Sequence, residues 1–94
     1  MMWRDGVVTG TRTAWGPAGR SCAELDVEIV GAPSGADSLL PGRRVRAVAY
    51  ETLTGLPVTG ERVRLEVSAL DRALGTGGHA MVSSRLEVLP TDPP

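Results

Sequence analysis

The side chains able to do chemistry are few and scattered. His79 is the only histidine and Cys22 the only cysteine among 94 residues, so neither a disulfide framework nor a conventional His/Cys zinc site can be assembled. Ser68, Asp71, Ser83 and Ser84 lie near His79 in sequence, and a Ser/His/Asp set can be written down. Catalysis needs an oriented base and an oxyanion site, and nothing in the spacing marks either. A solvated histidine at a strand end is expected instead. Cys22 is expected as a reduced, half-buried small apolar residue. The run Gly75–Ala80, GTGGHA, formally matches the G-x-G-x-x-A dinucleotide pattern. That pattern works only after a strand, before a long helix, and with an acid about twenty residues further on. Only 14 residues follow Ala80. Gly75, Gly77 and Gly78 are therefore expected to cap a helix and let the chain cross close to a strand, with positive φ at one or more of them. The alternative is an anion nest of successive N–H groups.

The charged residues alternate with apolar ones. Glu24, Asp26 and Glu28 share one face of a stretch, and Arg44, Arg46, Arg62 and Arg64 occupy two later stretches. They could form an acidic metal stripe or an arginine patch for phosphate. Cross-strand charge pairing accounts for the same alternation of sign. Carboxylates two residues apart on a strand stand about 6.5–7 Å apart, too far to share an ion without a third group. Trp3, Trp15 and Tyr50 are the only aromatics. On a basic face they would stack bases. With a formal net charge of −1, packing into the core or half into it is expected for at least one tryptophan. The binding candidates are thus Arg44, Arg46, Arg62, Arg64, Trp3 and Trp15. No catalytic residue, metal ligand or cofactor is expected.

These residues must be positioned by strands. Ala23, Leu25, Val27 and Ile29 alternate with Glu24, Asp26 and Glu28, which is the period of a half-buried strand. The pattern predicts strands near 3–13, 21–30, 43–50, 61–68 and 79–88 and one short helix near 69–74. Gly6 and Gly10 suit bends or bulges in the first strand, and Ser83-Ser84 a bulge in the last. Gly31–Gly42 is a long loop that returns one of Leu39 and Leu40 to the core, and Thr52–Gly60 is rich in turn residues. Leu25, Val27, Val45, Val63, Leu65 and Leu70 are the predicted core, with Met81, Leu86 and Val88 as inward members of the last strand. Short strands separated by turn signals argue an all-β domain. The expected form is a small five- or six-stranded barrel, closed or partly open, of the size of OB or SH3-like barrels, with one short helix before the last strand. Residues 1–89 form this single domain and 90–94 a Pro-rich tail or linker.

Ten basic residues, all Arg, face eleven acidic ones, so strong general attraction to nucleic acid or an anionic membrane is not expected. Lys, Asn, Gln and Phe are absent; Lys, Asn and Phe have A/T-rich codons, so their absence points to a G+C-rich bacterial gene. The longest stretch without a formal charge, Ala73–Ser84, is far short of the roughly 20 apolar residues of a membrane span. Arg4 and Asp5 come too early for a signal-peptide core. A cytoplasmic protein with no membrane partner is expected.

WRDGVV at the start, RAVAYETLTG in the middle and GERVRLEVSALDRALGTGGHAMV near the end, in this order, resemble the N-terminal region of an uncharacterised bacterial family, domain of unknown function 3866. The most specific part is LGTGG at Leu74–Gly78. The resemblance implies a front module of longer proteins, and carries no activity and no catalytic residue. Where the family has an aromatic this chain has His79, where it has an Asn-Thr-like run this chain has Glu66–Ser68, and Gly31–Gly42 resembles an insertion. A non-enzymatic structural or interaction module with a protein partner is therefore expected. A small-barrel nucleic-acid binder using Arg and Trp side chains is the less favoured alternative. One arginine patch free of acids would favour the binder; arginines interleaved with Glu24, Asp26 and Glu28 would favour the module.

Overall fold

The computed structural model describes residues 1–71 and 78–88. Five strands, β1 (Trp3–Trp15), β2 (Cys22–Gly31), β3 (Arg44–Tyr50), β4 (Arg62–Glu66) and β5 (His79–Arg85), close into a barrel in the order β1-β2-β3-β5-β4. All neighbouring pairs are antiparallel except β3 and β5, which run parallel through Arg46–His79, Ala47–Ala80 and Val48–Met81. This is the arrangement of a five-stranded Greek-key barrel of the OB type. Two one-turn helices, α1 (Glu51–Thr54) and α2 (Ser68–Asp71), flank β4 in the chain. Among the described residues no helix is long and apolar enough to cross a membrane.

The alternation seen in the sequence becomes inside and outside. Leu25, Val27, Ile29, Ala47, Ala49, Val63, Leu65 and Val67 are fully enclosed, and Val8, Ala23, Ala80 and Val82 nearly so. β1 serves two neighbours, pairing with β4 through Trp3–Val7 and with β2 along most of its length. So long a strand must bend to wrap a small barrel. Register shifts between Asp5 and Gly6, Val8 and Gly10, and Thr11 and Thr13 provide the bends. In β5 the pairs Arg64–Ser84 and Leu65–Val82 leave Ser83 as the extra residue of a bulge. Leu39 tucks into the core while Leu40 stays outside.

Several expectations require correction. In β5 the inward residues are Ala80 and Val82; Met81, Leu86 and Val88 are exposed. Ala80, Met81 and Val82 are consecutive apolar residues and fit either parity. The parallel ladder sets the parity, because Ala80 is registered with the enclosed Ala47 and paired residues of neighbouring strands share a face. Leu70 is partly rather than fully buried, packing against the core from outside. Neither tryptophan is in the core: Trp3 and Trp15 are 41% and 49% exposed. Arg4, Gly6 and Val8 take the inward parity of β1 and turn Trp3 outward, while Trp15 ends the β1–β2 hairpin in an exposed stretch. The turn-rich segment after β3 begins with a second helix, α1. A one-turn helix has no periodicity to read. It forms because the Glu51 carboxylate accepts hydrogen bonds from the Ser21 N–H (3.1 Å) and hydroxyl (2.7 Å), and Gly55 ends it at φ 73°. The helix expected near 69–74 is seen as Ser68–Asp71, and its remainder lies outside the described residues.

A nearly buried carboxylate, Glu61, ties the second half of the barrel together. It accepts hydrogen bonds from Arg85 Nε, from Arg85 Nη2 at 2.8 Å, and from the Val58 N–H at 3.1 Å. The Arg85 hydrogen bond holds its carboxyl below the ordinary value near 4.5. A carboxylate depressed in the folded state stabilises above its unfolded pKa, and that contribution is lost as pH falls through the folded value. Melting temperatures measured from pH 6 downward are therefore expected to fall more steeply below about pH 4.5 in the wild type than in Glu61→Gln. Parallel curves would show that this pair is not coupled to folding.

Gly78 enters β5 at φ 68°, so one of the three expected glycines has positive φ; Gly75 and Gly77 lie outside the described residues. A Cβ on Gly78 would also stand 3.2 Å from Leu70 Cδ2. Gly78→Ala is expected to cost about 1–2 kcal/mol in urea unfolding. Gly10→Ala is the control, because its Cβ would meet nothing within 4 Å. Equal midpoints for the two variants would refute the strained crossing.

Candidate functional site

At one end of the barrel the inward row of β1 starts with a charged residue, Arg4, which is only 4% exposed. Its guanidinium reaches under the loop between β2 and β3. Nε donates to the Leu39 carbonyl (3.0 Å), Nη2 to the Ser38 carbonyl (2.9 Å) and Nη1 to the Trp3 carbonyl (2.8 Å). Leu39 is held at φ 51°, a left-handed conformation that is strained in a residue with a side chain. The same loop is fastened on its other side by the Ser38 hydroxyl, which donates to Asp71 of α2 at 2.7 Å. The barrel end is thus closed by a loop clamped between β1 and α2.

Beside this clamp lies an open groove of about 890 Å³. Residues 1–5, at the start of the chain and of β1, form one side, residues 31–37 of the loop and the end of β2 another, and Arg64 and Ser83 complete it. Arg64 binds Asp5 at two points, Nε to Oδ1 at 2.8 Å and Nη2 to Oδ2 at 3.2 Å. The pairing follows from register, since Asp5 and Arg64 are direct neighbours in the β1–β4 ladder. This bond raises the pKa of Arg64. The groove therefore offers an apolar wall at Trp3 and Pro33, a neutralised ion pair, and a buried guanidinium.

Of the residues predicted from sequence, the groove brings together Trp3 and Arg64 only. Arg44 and Arg46 stand on β3 directly opposite Glu28 and Asp26 of β2. Arg62 is exposed on β4, which β5 separates from β3. Trp15 is at the far end of the hairpin. Sequence reasoning missed Arg4 and the loop Ala32–Asp37. Arg4 left a trace, since it shares the alternate-residue parity of Gly6 and Val8, where a charge interrupts an inward row.

A second charged group lies on the β2 side. Arg12 contacts Glu24 and Asp26, each at 3.3 Å, and His79 Nε2 meets Glu24 Oε2 at 2.5 Å. His79 is thus half-buried and paired rather than solvated, because the parallel β3–β5 ladder places it opposite Arg46, within reach of β2. The His79 hydrogen bond, with the Arg46 and Arg12 charges, lowers the Glu24 pKa. Among the described residues no three His, Cys, Asp or Glu side chains are grouped to hold a metal ion. Cys22 is free and half-buried.

The strand order and the groove define a small Greek-key barrel domain with a clamped loop at one end. Residues 46–93, just over half of the chain, match the family model described as Protein of unknown function (DUF3866), and the chain belongs to that family. The match begins within β3, so most of the groove lining, residues 1–5 and 31–37, lies outside it. No curated protein and no solved structure matches the chain.

Proposed function

We propose that this chain is a non-enzymatic, cytoplasmic interaction module, which docks a partner protein or a further part of its own polypeptide through the groove at Trp3 and Arg64. The observation that carries the reading is the pairing of charge on the barrel wall. Arg64 is bound to Asp5, Arg12 to Glu24 and Asp26, and Arg44 and Arg46 face Glu28 and Asp26 across the β2–β3 ladder. Such interleaving supports a docking surface over a phosphate-tracking one, which would need cations clear of acids. An exposed tryptophan beside a groove is also the kind of residue that anchors protein interfaces.

Affinity capture from the native host, with the wild type and with Trp3→Ala/Arg64→Glu as bait, tests the proposal. A partner retained by the wild type and by Arg44→Ala/Arg46→Ala, but lost from the groove variant, is the expected result. In parallel, single-stranded DNA and RNA are expected to bind no tighter than millimolar at physiological salt. Micromolar, steeply salt-dependent binding that disappears in Arg44→Ala/Arg46→Ala would replace the module with the nucleic-acid binder.

A further inference from the structure

Two charged side chains are strongly buried among the described residues, Arg4 and Glu61. Glu61 has its counter-ion in Arg85. Arg4 forms no ion pair with any described residue; its three acceptors are neutral carbonyls. A guanidinium carries five N–H donors and does not lose its proton in a protein. Three donors are engaged here, and two have no acceptor among the described residues. Enclosing a cation without a counter-charge is costly, and peptide carbonyls offset only part of that cost. Arg4 nevertheless borders the groove rather than a closed core. The neighbouring Arg64 is occupied by Asp5, and the groove's other acid, Asp37, is exposed on the loop.

We propose that the groove binds a carboxylate on Arg4, presented by an acidic side chain of the docking partner protein. This rests on the reading of the groove as the binding face. A carboxylate fits better than a phosphate for two reasons. It is planar and takes paired guanidinium N–H donors. It also carries a single charge, so Asp5 and Asp37 at the same groove repel it less than a dianion. Trp3 and Pro33 supply the apolar wall for the aliphatic stem that bears it.

The test is a titration of the ¹⁵N-labelled protein with sodium acetate, followed through the Arg4 Nε–H signal and the amides of Trp3, Gly35 and Ala36. Sodium chloride matches the ionic strength, acetamide is the neutral analogue, and sodium phosphate is the competing anion. Saturable shifts with acetate that are lost with acetamide, and weaker with phosphate, are expected. Shifts no larger than those with chloride, equal shifts with acetamide, or tighter binding of phosphate would overturn the proposal. Arg4→Met removes two bonds to the loop and one to the Trp3 carbonyl, so the comparison of acetate with acetamide on the unsubstituted protein decides the matter whether or not that variant folds. If Arg4→Met keeps the wild-type spectrum, loss of the acetate response supports the assignment and its persistence refutes it. Capture of a partner through Trp3 and Arg64 without any acetate response would leave the module standing and sink the carboxylate site.

Discussion

Replacing Leu65 with alanine is expected to lower the unfolding free energy by about 2–5 kcal/mol, the range for emptying an enclosed leucine site. Leu65 is fully enclosed on β4, paired with Arg4 of β1 on one side and Val82 of β5 on the other. It thus lies where the ladder β1–β4–β5 turns the sheet into a barrel. A domain of this size has a total stability of roughly 5–14 kcal/mol, so the loss is a large share of it. In urea unfolding the midpoint is expected to fall with little change of slope. Arg64→Ala, next along the strand and outside, removes only an exposed ion pair and is expected to cost no more than about 1 kcal/mol. An unchanged midpoint for Leu65→Ala would place the β4 side chains on the wrong faces.

The second large effect is expected at Gly6. A Cβ there would collide with Val27 Cγ1 and stand 3.1 Å from the Glu28 carbonyl oxygen. Val27 is β-branched and enclosed, so it has little freedom to move aside. Gly6→Ala is expected to cost about 1–3 kcal/mol through overpacking. Val27→Ala removes the obstructing methyl, so the double variant should lose less stability than the two single changes added together. Strict additivity in the double-mutant cycle would mean that β1 and β2 do not approach this closely.

The strand faces were legible wherever apolar and charged residues alternate without interruption. Ala23–Ile29 and Val63–Val67 turn out as their spacing predicts, and so does Val45–Ala49, where Arg44 and Arg46 fix the parity ahead of Ala47, Val48 and Ala49. Period two needs no knowledge of the neighbours, because successive side chains of a strand point to opposite faces. The glycines and serines of β1 and β5 marked bulges for a similar local reason. At Ala80–Val82 three apolar residues are consecutive with no alternating charge before them to fix the parity, and only the ladder with β3, which registers Ala80 with the enclosed Ala47, decides it.

The candidate site was legible only in fragments. Trp3 and Arg64 were visible as residue types, but 61 positions separate them in the chain. Only the β1–β4 register sets Asp5 beside Arg64 and leaves Trp3 at the rim. Arg44 and Arg46 looked equivalent to Arg62 and Arg64 in the sequence. Insertion of β5 between β3 and β4 separates the two pairs; β2 sets Glu28 and Asp26 opposite Arg44 and Arg46, while β1 sets Asp5 opposite Arg64 and Val7 opposite Arg62.

By itself the sequence determined an all-β domain, which residues face inward along its regular strands, and a near-neutral surface with a single histidine and a single cysteine. These follow from local steric period and from composition. Tertiary structure alone decided the barrel order, the exposure of both tryptophans, the pairing of His79 with Glu24, and the burial of Arg4 beneath the loop. Each depends on contacts between segments far apart in the chain. A single strand cannot specify those contacts until the closed ladder brings its neighbours within hydrogen-bonding distance.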